Sequence, residues 1–408
     1  MPAIRPFRAL RYDPGLAGDL SRVIAPPYDV IGPQEQDRLY RASPYNVIRL
    51  ILGKISPADT AQENRYSRAK QDFTAWCGQR ILTQDEQPAF YLIEQTFADA
   101  DGARKTRLGF IALMELGDER AVYKHEATLA APKQDRTKLL EAIPANLEPI
   151  FCVYPDEGAA VHRRLRDYAA HAPPTVRATL GGDGITLWAV TDQTVIKDVA
   201  HRLEPVTVLI ADGHHRFEVA YANRQRYGTL MTYFVSMEEP SLVVRPIHRV
   251  LKELGRQETE ALRGVCELSP IAELTALLQW LGGEAAGGRF GYYDGYAFYR
   301  AVVRPERLQA WLKAPTVPSP MASLDVCLLH GLILPSLTNG ASAECAYTAD
   351  AAQAVHSADQ SEHQSAWLLR GIPLAQVYAL AKQGHALPPK STYFYPKVPS
   401  GLTINRLA

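Results

Sequence analysis

The stretch that decides the fold is Val206-Thr207-Val208-Leu209-Ile210-Ala211-Asp212-Gly213-His214-His215-Arg216-Phe217-Glu218-Val219-Ala220. Its first five residues are aliphatic or β-branched, the pattern of a central strand covered on both faces. Asp212-Gly213 breaks the run. Phe217, Ala220, Tyr221 and Arg224 then share one helical face, which ends near Gly228. A strand that turns over a glycine into a helix beginning His-His-Arg is suited to chemistry. The glycine lets backbone approach a ligand closely. The first helical turn presents amide N–H groups with the helix dipole behind them, which makes an anion site. Arg216 is unfavourable for the helix at that position, and makes sense if it shares a phosphate with the helix N-terminus. His214 and His215 add donors or a proton-transfer group. The plainer alternative is an Asp212 N-cap followed by two exposed histidines. Adjacent histidines project about 100° apart on a helix, so they make a poor pair of metal ligands, and no metal site is assigned.

Working outward, Gly181-Gly182-Asp183-Gly184 is a turn, residues 185–190 a strand and 193–203 an amphipathic helix. Upstream, residues 89–96 and 106–113 are strands around the hairpin signal Asp101-Gly102. A helix over 133–143 and a strand over 149–154 follow. Near the N-terminus, Pro6, Pro14, Pro26, Pro27, Pro33 and Pro44 call for short extended pieces and rigid turns. Residues 46–52 have the pattern of a buried strand and 60–80 that of a helix. Downstream, residues 274–281, 324–334 and 372–383 are helical, and Asp294-Gly295 joins strands over 290–293 and 297–303. The expected organisation is α+β in three parts: 1–148, 149–255 and 256–408.

Composition narrows the function. The 408 residues are 47% hydrophobic and 22% charged, with 44 basic and 44 acidic side chains. That balance excludes a disordered or fibrous chain. It gives no basic excess for nucleic acid, which is not expected as a partner. No apolar run approaches the roughly 20 residues of a bilayer span, and no signal-like segment opens the chain, so a cytoplasmic protein without a membrane partner is expected. Cys77, Cys152, Cys266, Cys327 and Cys345 are scattered, with no C-x-x-C pair, as free thiols of a reducing compartment would be.

The common phosphate and metal motifs are missing. There is no G-x-x-x-x-G-K-[ST] and no G-x-G-x-x-G after a strand, and His125-Glu126 is followed by Ala127-Thr128-Leu129 rather than by the second histidine of H-E-x-x-H. Two further segments could serve a phosphate. Lys390-Ser391-Thr392 follows Pro388-Pro389 and precedes three aromatics, so a lysine and hydroxyls sit on a rigid turn. Lys124, Lys133, Asp135 and Arg136 cluster near His125-Glu126, where a solvated helix face is the simpler explanation. Ile247-His248-Arg249 is a weaker basic candidate, and Tyr28 or Asp29 could line a pocket.

The string Leu209 to Ala220 resembles the nucleotide-binding motif of the ParB/sulfiredoxin superfamily, in which a strand, a glycine and an arginine open a helix. In its D-G-H-H-R form it is most similar to the free serine kinases. Over nearly its whole length the chain also resembles a widespread prokaryotic family of unknown function, through Ala25-Pro26-Pro27-Tyr28-Asp29-Val30, Ser43-Pro44-Tyr45-Asn46, His125-Glu126 with Thr128, Asp135-Arg136, ADGHHR and Lys390-Ser391-Thr392-Tyr393-Phe394. The resemblance implies a ParB/sulfiredoxin-like nucleotide-binding core around residues 150–250 with further N- and C-terminal elements. It implies ATP or ADP, with CTP as a further option, and Mg²⁺. Gly213, His214, His215, Arg216, Lys390 and Ser391 would hold phosphates. Asp212 would carry Mg²⁺ or a proton, and Glu126 would activate an acceptor hydroxyl, with Asp212 and His214 completing the catalytic set. His214 stands where sulfiredoxin has its reactive cysteine, so redox repair of that kind is excluded. The function implied is phosphoryl transfer to a small hydroxyl-bearing metabolite, serine among the candidates. The alternatives are a phosphatase and a non-catalytic nucleotide switch.

Overall fold

The computed structural model describes residues 3–99, 102–252, 256–283, 287–338, 344–360 and 364–407. Asp101, half of one hairpin signal, lies outside them. The chain forms two compact units. The first comprises 1–124, 128–243 and 396–408, and the second 125–127 and 244–395.

The first unit is built on a nine-stranded mixed sheet. Its strands are β1 (Ile4–Arg5), β2 (Phe90–Ala98), β3 (Arg104–Glu115), β4 (Val122–Tyr123), β5 (Ile150–Tyr154), β6 (Val176–Leu180), β7 (Asp183–Val190), β8 (Val208–Asp212) and β9 (Thr229–Ser236). They lie in the order β4-β8-β5-β9-β3-β2-β7-β6, with β1 also on β3. The β4–β8 and β5–β9 pairs are parallel and the others antiparallel. The expected segments 1–148 and 149–255 therefore share one sheet, because β2 and β3 insert between β9 and β7. The strand 206–210, expected at the centre, lies one from the edge as β8. Both its faces are nonetheless covered, and all five residues are buried.

Strand alternation assigns the faces. Leu108, Phe110, Ala112 and Met114 of β3 join a core with Val161 and Leu165 of α4 (Ala160–His171), Val195 and Val199 of α5 (Gln193–Leu203) and Phe217 of α6 (His214–Ala222). A second core gathers the proline-punctuated N-terminal pieces with α1 (Ile48–Ile51), α2 (Arg65–Gly78) and α3 (Ala130–Ala142). Here the strand expected over 46–52 is a single helical turn. Asn46 decides it: its Oδ1 accepts from Ile48 N at 2.9 Å, while its Nδ2 donates to Arg22 O at 2.8 Å and Ile24 O at 3.0 Å. A fully buried apolar run has no period to distinguish strand from helix. The helix expected from residue 60 starts at Arg65, because Asn64 and Ser67 form a capping box.

The second unit carries an antiparallel six-stranded sheet of β10 (His248–Lys252), β11 (Cys266–Ile271), β12 (Arg289–Tyr293), β13 (Phe298–Val303), β14 (Cys345–Thr348) and β15 (Gln364–Leu368), in the order β11-β13-β12-β15-β10-β14. Leu277 and Leu281 of α7 (Leu274–Leu281) and Ala354 and Ala358 of α8 (Ala351–Asp359) pack on Val250, Ala366 and Leu368 of this sheet. Among the described residues no helix is long and apolar enough to cross a membrane. All five cysteines are free thiols. Denatured, unreduced protein should therefore titrate five thiols with a chromogenic disulfide reagent, and a count of three or one would contradict the structure.

Candidate functional site

The site grows from the end of β8. A register shift between Ile210 and Asp212 places Asp212 opposite Phe151 of β5, and such bulges re-aim side chains. Gly213 follows with φ 94° and ψ 29°, and it is the N-cap of α6. No side chain caps this end, so Asp212 is a strand residue and not the cap. Phe217 N closes the first helical bond on Gly213 O at 2.9 Å. A Cβ on Gly213 would lie 2.9 Å from Ile150 Cγ2 and 3.1 Å from Arg216 Nη2. The glycine is required by its own backbone and by the wall behind it.

Asp212 is the hub. Its Oδ2 accepts from Arg216 Nη2 at 2.6 Å, and its Oδ1 accepts from Lys397 Nζ. Both side chains of each pair are about 10% exposed. Burial alone would raise the Asp212 carboxyl. The positive charges of Lys397 and Arg216 and the Lys397 hydrogen bond outweigh burial and hold it at about 2. Asp212 is thus ionised at neutral pH, and both its oxygens are engaged by cations. The proton-carrier and Mg²⁺-ligand roles expected of it do not fit this arrangement.

Arg216 was expected to open toward a phosphate. Instead its guanidinium is buried, donating to Asp212 and to Pro149 O. Burial lowers its pKa, but Glu148, Asp212 and Asp29 more than compensate and raise it. His214 is buried at 7% exposure. His215 is committed to the framework: its Nε2 accepts from Leu129 N at 2.9 Å, just ahead of α3. Glu218, one turn on, accepts from Thr128 Oγ1 at 2.8 Å and Lys133 Nζ at 3.0 Å. Lys133 and Thr128 therefore tie α3 to α6 rather than forming a solvated face.

Lys397 was not singled out in the sequence, yet it is the residue brought onto Asp212. A strap, Pro396-Lys397, crosses the sheet face opposite the α4–α5 core. Gln95 Nε2 donates to Lys397 O at 3.0 Å, and Arg107 Nη2 donates to Pro396 O at 2.7 Å and to Gln95 Oε1 at 2.5 Å. Arg107 is fully buried over Phe151, the strand partner of Asp212. No hydrogen bond or salt bridge joins it to a carboxylate among the described residues, and burial lowers its pKa. The signal available in the sequence was Tyr395-Pro396-Lys397-Val398-Pro399, a lysine held between prolines in an apolar stretch.

Tyr28, Arg136 and Glu148 extend the network. The Arg136 guanidinium lies 3.9 Å over the Tyr28 ring, and Glu148 Oε1 accepts from Tyr28 N at 3.1 Å and Ser400 Oγ at 2.9 Å. Glu126, Lys390 and Ser391 belong to the second unit. There His125 Nε2 shares a hydrogen bond of 2.8 Å with Thr392 Oγ1, and Leu387 N donates to His125 O at 2.7 Å. Ser391 Oγ donates to Pro388 O at 2.6 Å, while Lys390 is exposed with φ 60°. The proline turn is real, and the Ser391 hydroxyl closes it.

Comparison with known proteins identifies the family. The family described as "Protein of unknown function (DUF1015)" matches residues 4–327. The chain belongs to DUF1015. The DUF1015 match runs from β1 across the whole of β8, α6 and β9. No curated protein matches the chain. Among solved structures, a conserved hypothetical protein from Pyrococcus furiosus is similar at 14% identity and TM-score 0.38, covering 72% of this chain and 95% of its own. A free serine kinase in complex with AMP is similar at 14% identity and TM-score 0.36, covering 70% of this chain and 86% of its own. SbnI from Staphylococcus aureus, truncated at its C-terminus, is similar at 10% identity and TM-score 0.37, covering 72% and 87%.

Proposed function

We propose that the protein binds nucleotide phosphates at the turn from β8 into α6 and transfers a phosphoryl group to a small hydroxyl-bearing metabolite, serine among the candidates. One observation carries this: two buried cations, Lys397 and Arg216, meet on the carboxylate of Asp212 at the start of a nine-residue helix. Buried Arg107 adds a third cation across Phe151. Cations gathered in a poorly solvated place attract an incoming phosphate more strongly than they would in water. Phosphoryl transfer asks of a protein mainly positioning and charge neutralisation.

In this proposal Lys397 meets the phosphate through its ammonium, joined by His214 and the amides of the first turn of α6. Asp212 orients Lys397 and Arg216. Arg216 contributes charge from behind. Gln95 and Arg107 hold the strap that carries Lys397. ATP, ADP or CTP would satisfy the same charges, since the proposed contacts are with phosphate and not with base. Mg²⁺, when bound with nucleotide, would neutralise phosphate charge, and Asp212 offers it no unengaged oxygen.

The deciding experiment is calorimetric titration with ATP, ADP and CTP. Lys397→Met should weaken the nucleotide that binds by about 10–100-fold, the equivalent of a hydrogen bond to a charged group. Unchanged affinity would refute the site. Following product in the presence and absence of serine then separates transfer from hydrolysis.

A further inference from the structure

On the other side of Arg216 lies a cavity of about 60 Å³ between α3, α6 and the sheet. Since one water needs ~10–15 Å³ by this measure, it has room for several water-sized groups. Its polar lining is Arg136, Asn146, Glu148 and Arg216, and its apolar lining includes Leu139 and Leu230.

The hydrogen-bond accounting at this cavity leaves one buried donor over. Arg216 spends Nη1 on Pro149 O and Nη2 on Asp212, and its Nε is buried without a partner. Asn146, half-buried at the cavity wall, uses Oδ1 twice, accepting from Met231 N at 3.1 Å and Asn405 Nδ2 at 3.0 Å. Glu148 needs nothing further: Tyr28 N, Ser400 Oγ and Arg136 already serve it. The ion pairs around the cavity join Arg65, Arg136, Arg216 and Lys397 to Asp135, Glu148 and Asp212, and Asp29 also acts on Arg216. A buried donor left unpaired is costly, and each such group in a native fold calls for an occupant.

We propose that this cavity is a binding site for a compact carboxylate with a short apolar tail. The carboxylate oxygens accept from Arg216 Nε and Asn146 Nδ2. The tail of one to three carbons lies against Leu139 and Leu230. Its small volume favours short acids, and its apolar walls disfavour a dianion. This site is distinct from the phosphate site proposed above: it uses the Nε edge of Arg216, not Lys397 or the helix N-terminus.

The test is titration of the full-length protein with sodium propionate, with inorganic phosphate and sodium hexanoate as comparisons, read by calorimetry and by saturation-transfer NMR. Propionate should bind saturably with a Kd in the millimolar range, about what five heavy atoms allow, with phosphate and hexanoate at least about tenfold weaker. Ala220→Leu, which adds a side chain to the cavity wall, should weaken propionate at least about tenfold and leave nucleotide affinity unchanged. Leu140→Trp, at another wall position, serves the same purpose if the first variant melts abnormally. Absence of saturable propionate binding to the native chain would mean that water alone fills the cavity, and would overturn the proposal. So would equal affinity in the filled variants. Nucleotide binding measured on the same samples keeps this outcome separate from the fate of the phosphate site.

Discussion

Asp212→Asn is expected to cost the protein about 3–5 kcal/mol of stability at neutral pH, the penalty for breaking a buried ion pair by removing one partner. The substitution keeps the shape but leaves Lys397 and Arg216 buried side by side without their shared counter-charge. Denaturant unfolding at pH 7 measures it. The native chain should also show a matching acid limb. The folded Asp212 carboxyl sits at about 2, against 3.8 for the free side chain. As pH falls through that interval the unfolded chain takes up the proton first. The contribution is therefore complete above about pH 4, declines toward pH 2, and amounts to on the order of 2 kcal/mol. Asp212→Asn should lack this limb. Adding Lys397→Met to Asp212→Asn should recover at least about 1 kcal/mol relative to the sum of the single changes, because the two side chains interact directly. A loss under about 1 kcal/mol for Asp212→Asn would mean that the cations find other compensation, and the charge argument for a phosphate site would fall with it.

The sequence made the strand–glycine–helix unit legible because local rules there agree with the global fold. The helix Gln193–Leu203 emerged with its observed bounds because Asp192 caps it, accepting from Thr194 N at 2.8 Å. Gly213 was identifiable because few other residues tolerate that backbone. What stayed hidden was set by distant pairing. Nothing near residue 90 announces that β2 and β3 separate β9 from β7. Nothing near Asn46 announces that its amide bridges Arg22 and Ile24 and winds the next four residues into a helical turn. The site suffered the same blindness: Lys397 is 185 residues from Asp212, and its placement depends on Gln95 and Arg107 gripping the strap by backbone carbonyls, which no side-chain motif encodes. The segment 125–127 leaves the first unit to join the second, where His125 O accepts from Leu387 N.

Gly213→Ala should be the most damaging single methyl addition in the motif, at roughly 2–5 kcal/mol. Two parts make up that figure. Holding an alanine in the left-handed region costs about 1–2 kcal/mol, and Gly213 has φ 94°. Overpacking adds about 1–3 kcal/mol, because the new Cβ falls 2.9 Å from Ile150 Cγ2 and 3.1 Å from both Ile150 Cβ and Arg216 Nη2. Ile150 is fully buried at the start of β5 and cannot retreat. The flexible member is the Arg216 guanidinium, so relief comes by pushing it away from Asp212. The steric effect thereby becomes an electrostatic one. With Arg216 displaced, the Asp212 carboxyl rises from about 2 toward its ordinary value, and the acid limb shrinks, its lower end moving up while its upper end stays. A double-mutant cycle with Ile150→Ala separates the parts. Removing the Ile150 γ carbons relieves the 2.9 Å contact but neither the contact with Ile150 Cβ nor the backbone strain, so the pair should fall short of additivity by about 1 kcal/mol or more. Strict additivity would mean that the Ile150 γ carbons carry none of the cost. A Gly213→Ala loss below about 0.5 kcal/mol, with the acid limb unmoved, would show that this turn accepts a side chain after all. The glycine would then have to be explained by what approaches it from outside.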